Sequence, residues 1–166
     1  MLQMPERVRP ATPNDEDAII HLCRELHAEN AAFSWNEDKV RTGIQEAIRP
    51  HPNIPRIIGV IGPPKAPLEG AIYLQATQEW FTNDWALMEI FNFVPKPHRA
   101  STNACDLIAY AKGCANAMRM KLIIGILSTH RTEAKVRLYS RHLGAPKGAF
   151  FMHDGTDGGV QQGSTH

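Results

Sequence analysis

The middle third of this chain constrains its fold most. Between residues 56 and 94, apolar residues abandon helical spacing. They crowd into three short runs, RIIGVIG, GAIYLQATQEW and WALMEIFNFV, rich in β-branched and aromatic residues. The segment between the first two, PPKAPLE, is a turn or loop, and the pair reads as two strands of a hairpin. The third run leads into a segment of opposite character. From about Ser101 to Met118, the residues Ala104, Leu107, Ile108, Ala111, Ala115 and Met118 recur at i, i+3, i+4 and i+7, the stripe of a helix lying on a sheet. Strands delivered in succession and then covered by a helix predict an α/β domain built on a mixed sheet.

The flanking thirds add further elements. RVRPAT is short and β-like. Pro13 to Glu29 reads as a helix that Asn14 or Asp15 can cap, with Ile19, Leu22, Cys23 and Leu26 on one face. NAAFSWNED interrupts it, and a second helix runs from about Glu37 to Ile48 before the prolines of RPHPNIP end it. Beyond the central helix, KLIIGILS reads as a fully buried strand. RTEAKVRLYSRHLG reads as a helix whose apolar side is Val136 and Leu138 to Leu143, terminated by Gly144. GAFFMH reads as a last strand. One domain is expected over residues 1–154, followed by a Gly- and Gln-rich flexible tail at 155–166.

Charge limits what such a domain does. The 166 residues carry a formal charge of +1 with 21% charged and 43% hydrophobic residues, so a nucleic-acid-coating surface is disfavoured and any basic site must be local. No apolar run approaches the ~20 residues that cross a bilayer, and MLQMPERVRP lacks a signal-peptide core. A cytoplasmic protein without membrane contact is expected. Cys23, Cys105 and Cys114 cannot all pair and form no CxxC motif, so they read as reduced thiols. Cys23 and His27 share a helix face, but His51, His98, His130 and His153 are scattered and no metal is expected.

The join between the third strand and the central helix is the most suggestive stretch. His98-Arg99-Ala100-Ser101-Thr102-Asn103 is basic and hydroxyl-rich, and it opens a helix whose first N–H groups and positive dipole end favour a phosphate. Arg99 would add a bidentate donor. Ser101, Thr102 and Asn103 either cap the helix or donate to that same anion.

Two local patterns resemble the GNAT superfamily of acyl-CoA-dependent N-acetyltransferases, and the element order of nearly the whole chain is similar to that fold. Val94-Pro95-Lys96-Pro97-His98-Arg99 running to Ala104 resembles the family's V-x-P-x-x-R-x-x-G-x-G/A pyrophosphate turn, with the proline displaced and Thr102 at a glycine position. Glu133 to Gly144 resembles its A-x-x-x-Y-x-x-x-G segment, with Tyr139 on the tyrosine. The His98-Arg99 and Arg131–Gly144 segments look more like acetyltransferases of phage and mobile elements than like the histone or ribosomal branches.

The resemblance implies a mixed, mostly antiparallel central sheet flanked by helices. It implies acetyl-CoA as co-substrate and direct transfer to an amine, small molecule or protein, in a ternary complex. Backbone around Phe91 to Val94, Phe93 and Val94 included, would pair with the pantetheine arm and polarise the thioester. Arg99, Ala100, Ser101, Thr102, Asn103 and Ala104 would hold the pyrophosphate, Thr102 either pushing it outward or turning its hydroxyl onto it. Thr132 stands nearest the family's helpful asparagine. Lys135, at i, i+4 from Arg131, belongs to a basic row that would attract the ribose phosphate. Tyr139 would protonate the departing thiolate, or else pack as a half-buried phenol. Glu89, a carboxylate inside an apolar strand, is the candidate base, with a solvent-facing position or pairing with a lysine as its alternative. Phe33, Trp35, Trp80, Phe81 and Trp85 either border an apolar or peptide acceptor, pack in the core and at the rim, or in the case of Glu79 to Trp85 form a homodimer contact. A GNAT-shaped CoA-binding or regulatory module without transfer activity is the rival reading.

Overall fold

The computed structural model describes residues 5–30, 32–49, 54–128, 131–153 and 155. One five-stranded sheet runs in the order β1 (Val8–Pro10), β2 (Arg56–Ile61), β3 (Gly70–Gln78), β4 (Trp85–Phe93) and β5 (Lys121–Ile123). The first three pairings are antiparallel and β4–β5 is parallel. Among the described residues four α-helices cover it: α1 (Glu16–Glu29), α2 (Glu37–Ile48), α3 (Asn103–Met118) and α4 (Thr132–Leu143).

Alternation along the strands divides the core in two. Ile58, Val60, Ala71 and Tyr73 pack with Ile19, Ile20 and Leu22 of α1 and Ile44 of α2. Ile61, Ile72 and Leu74 point to the other face and meet Leu107, Tyr110, Ala111 and Cys114 of α3. At Gly59 the Tyr110 ring lies against the strand so closely that a Cβ would stand 2.5 Å from its Cε1. Glycine is the residue that admits a ring at such a distance.

Local chemistry sets the helix bounds. The side chain of Asn36 accepts from the Lys39 N–H and starts α2. Before α1, the fully buried Asp15 carboxylate accepts from both terminal nitrogens of Arg9, at 2.8 and 2.7 Å, and from the backbone and hydroxyl of Thr12. Arg9 holds that carboxyl below its ordinary value, pinning β1 to the start of α1.

Strand β4 carries an irregularity that matters later. Tyr73 pairs with Phe91 and Leu74 with Glu89, so Ile90 is an extra residue, a β-bulge. Across it the facing of the strand changes phase. Leu87 packs on the α3 side, whereas Phe91 and Phe93 pack on the α1–α2 side, although an unbroken strand would put all three odd positions on one face.

Two expectations need correction. KLIIGILS is not a fully buried strand: only Lys121–Ile123 pairs, its ends are exposed, and the ladder stops at Met88 and Ile123 because the bulge turns β4 away. GAFFMH has strand composition but no ladder partner among the described residues, and Phe150 and Phe151 are exposed. Helix α4 buries no residue completely, and Leu138 and Tyr139 of its apolar side line a cleft. Gly144 does end α4, with φ +88°. Apart from Gly155, the tail at 155–166 lies outside the described residues. Among the described residues no helix is long and apolar enough to cross a membrane.

Candidate functional site

Where β4 parts from β5 the sheet opens, and α4 lies over the gap. Alternate N–H groups of β4 that do not serve β3 face this opening. Two adjoining cavities occupy it, of about 230 and 450 Å³, both lined by Asn92, Lys135 and Tyr139. The smaller lies toward the start of α3 and the larger toward the segment after β5.

Glu89 stands at the bulge. Its carboxylate accepts from the Gly125 N–H, while Oε2 is buried without a partner among the described residues. Burial is the dominant influence and pushes the carboxyl up from 4.5 to about 7, against the weaker pull of Gly125 and of the Lys135 charge. Glu89 therefore lines the larger cavity, not a solvent face. Tyr139 reaches across from α4, and its hydroxyl accepts from Asn92 Nδ2 at 3.2 Å. Burial, reinforced by the Glu89 charge, raises the phenol, so it stays protonated throughout the physiological range. Lys135 donates to Ser128 Oγ at 2.7 Å, and Ser128 to Asn30 Oδ1 at 2.9 Å. Burial lowers its ammonium despite Glu29 nearby.

The turn between β4 and α3 is arranged differently from the sequence expectation. Arg99 does not present a free guanidinium: Nη2 lies 2.6 and 2.7 Å from the two oxygens of Glu29, and Nε donates to the Val94 carbonyl. The group also sits 5.5 Å over the Phe93 ring. Its charge is thus spent within the protein, although Arg99, Phe93, Val94 and Ala104 all line the smaller cavity. The hydroxyls bond locally, and Thr102, at the N-cap of α3, makes no side-chain capping bond. Thr102 donates to Asp106, and Ser101 donates to the His98 carbonyl while accepting from the Asn103 N–H. Asn103 turns its side chain inward to Glu69, fully buried, with Oδ1 unpartnered among the described residues. Ala100 is an exposed turn residue. Thr132 donates to the Ser128 carbonyl and closes the turn into α4.

The smaller cavity still favours an anion. Glu29 offsets Arg99, which leaves Arg131 and Lys135 on its wall. Arg131 adopts a left-handed conformation, φ +54°, uncommon for a residue with a side chain. Glu29 and Asn92 were missed from sequence. Asn92, a lone amide in the apolar FNFV, was the only visible signal, since Glu29 lies 70 positions from its partner. The remaining candidates do not converge. His27 contacts the Phe33 carbonyl at 2.7 Å and the Trp35 ring, and no group of three metal-ligating side chains exists among the described residues. His51 and His130 lie outside the described residues. Of the aromatics, Phe33 lines the larger cavity, Trp35 packs partly on the core, and Trp80, Phe81 and Trp85 are exposed at the β3–β4 hairpin.

No protein-family model matches the sequence, and no curated protein matches it. Solved structures do match the fold. An integron cassette protein from the mobile metagenome of Cole Harbour Salt Marsh aligns with a TM-score of 0.69 at 16% identity, over 91% of each chain. A "possible acetyltransferase" from Clostridium difficile 630 gives 0.67 at 15% identity, over 88% of this chain and 95% of that one. The ribosomal-protein-alanine N-acetyltransferase of Brucella melitensis biovar Abortus 2308 gives 0.64 at 15%, over 88% and 96%. With its mixed, mostly antiparallel sheet splayed between β4 and β5, the chain has the GNAT fold.

Proposed function

We propose that the protein is an acetyl-CoA-dependent N-acetyltransferase acting on an amine in a ternary complex. The observation that carries this reading is the meeting, at one opening, of a buried carboxyl raised to about 7 and the protonated phenol of Tyr139. A base poised near neutral pH and a separate proton donor are what amine acylation requires. The acetyltransferase names of the solved neighbours support it. The resemblance of His98-Arg99 and Arg131–Gly144 supports a place among the mobile-element members.

The residues present suit acetyl-CoA: outward N–H groups of β4 beside the gap, and Arg131 and Lys135 on the wall of the smaller cavity. When bound it supplies an acyl carbon activated as a thioester. Glu89 removes the amine proton as the N–C bond forms and the C–S bond breaks. Tyr139 donates its proton to sulfur, and Glu89 restores the phenol, so one proton travels from nitrogen to thiol. Charge coupling aids the order of events. The Glu89 carboxylate makes Tyr139 a weaker acid, and its neutralisation by the amine proton removes that hindrance.

Calorimetric titration with acetyl-CoA, then thiol release over a panel of amines, tests the proposal. Micromolar binding with turnover is expected; no binding and no rise in melting temperature would refute it. One observation favours the rival, a CoA-binding or regulatory module: the Arg99 guanidinium is already engaged, Nη2 by Glu29 and Nε by the Val94 carbonyl. Binding without turnover on any amine would select that reading.

A further inference from the structure

The larger cavity restricts the acceptor's chemistry. Eleven large hydrophobic side chains are exposed among the described residues, and six of them line this one chamber: Phe33, Ile90, Leu127, Phe150, Phe151 and Met152. They arrive from four separate parts of the chain: the loop after α1, the bulge of β4, the segment after β5, and the C-terminal segment. Single exposed apolar residues are ordinary, but convergence on one cavity marks a binding surface. The C-terminal segment is seated there by Phe150, whose ring packs over Gly125 so that a Cβ would stand 3.2 Å away.

The chamber's charged groups are equally specific. Among the described residues that line it, only Glu89 and Lys135 carry charge. Lys135 is tied to the wall through Ser128 and Asn30. Glu89 holds a buried, unpartnered oxygen at the same wall. The chamber's other polar side chains bond among themselves, Asn92 to Tyr139 and Ser128 to Asn30 and Lys135, so its complement has one positive end and a largely apolar body. Several hydroxyls or a second ammonium would be left without partners against the apolar wall, and a carboxylate beside the amine would meet Glu89. At ~30 Å³ per water-sized group, 450 Å³ admits about fifteen such groups, a molecule of modest size.

We propose that the acceptor is a primary amine on an aromatic or branched apolar body, its ammonium against Glu89 and its body between Phe33 and the Phe150–Met152 segment. The location of this chamber as the acceptor side rests on the acyl-transfer reading, but its ligand preference is measurable without it. Glu89 takes the first ammonium proton to solvent, and the neutral amine then reacts as already balanced.

Calorimetry on the full chain without acetyl-CoA, at mildly alkaline pH, uses 2-phenylethylamine as probe. Ethanolamine, spermidine and 2-phenylethanol serve as comparators. We expect 2-phenylethylamine to bind about tenfold or more tightly than each comparator, with a similar loss in Phe33→Ala, in Phe150→Ala and in Glu89→Gln, and none in the hairpin control Trp80→Ala. The phenylalanines are exposed, so unchanged melting temperatures would separate lost contact from lost fold. Comparators binding as well as 2-phenylethylamine, or chamber variants binding it unchanged, would overturn the proposal. If the binding pattern holds but acetyl-CoA yields no thiol, the chamber stands and the transferase reading fails. Thiol release with spermidine or ethanolamine at a kcat/KM equal to that of 2-phenylethylamine would overturn the chamber and leave the transferase.

Discussion

Replacing Glu89 with glutamine removes a charge that the fold holds reluctantly. Burial lifts its carboxyl from 4.5 to about 7, and each unit is worth about 1.36 kcal/mol, so ionising it in the folded protein costs about 3 kcal/mol. Its folded value lies above the unfolded one. The cost is therefore absent below pH 4.5, grows up to about 7, and is constant beyond. Glutamine has nearly the shape of the neutral acid. Urea unfolding should find Glu89→Gln equal to the parent near pH 4 and more stable by about 3 kcal/mol near pH 8, a rise of roughly 6–12 °C in Tm for a chain of this size. Its turnover should fall by about 10²–10⁴-fold, while kcat/KM of the parent should rise with pH through about 7. A stability difference that does not change with pH would mean that folding leaves the carboxyl unshifted, and a glutamine variant less stable in alkali would mean that the folded protein stabilises the carboxylate. The argument for Glu89 as base would then be wrong.

Other perturbations isolate single parts of the structure. Tyr139→Phe should lower kcat about tenfold or more and leave the acetyl-CoA KM nearly unchanged; equal loss of both in steady-state kinetics would mark a packing role. Glu29→Gln frees Arg99 and should tighten acetyl-CoA severalfold by calorimetry, whereas weakened binding would show that the ion pair shapes the cavity. Asp15→Asn breaks a buried bidentate pair whose arginine is partly exposed, and should cost about 2–3 kcal/mol in urea unfolding at neutral pH. Asp15's carboxyl is depressed, so that contribution is complete above 3.8 and fades as pH falls below it, closing the gap between variant and parent. Gly59→Ala forces a methyl against Tyr110 and should cost about 1–3 kcal/mol, read as a lowered Tm.

Elements whose signals are local were legible in the sequence. Helix α2 runs from Glu37 to Ile48 as its spacing predicts, because Asn36 caps it and prolines follow. Strands β2, β3 and β4 appear where β-branched and aromatic residues crowd. Elements that depend on a neighbour were not. Ile124 to Ser128 has strand composition, but the bulge of β4 removes its partner, and no composition encodes that. The site divides the same way. Glu89 stood out as a carboxylate in an apolar run, and Tyr139 by its motif. Arg99 was visible, but not Glu29, which neutralises it from another helix, nor the contact between Asn92 and Tyr139, 47 positions apart.

The extra residue in β4 separates the scaffold from its opening. Because Leu87 and Phe93 face opposite layers across the bulge, excising Ile90 alone would leave every other side chain of the strand on its present face. The hydrophobic cores would be preserved while the kink vanished, and the run after Ile123 could zip onto a straightened β4. Such a one-residue deletion would give a sheet sealed along its whole length, stable and without an entrance.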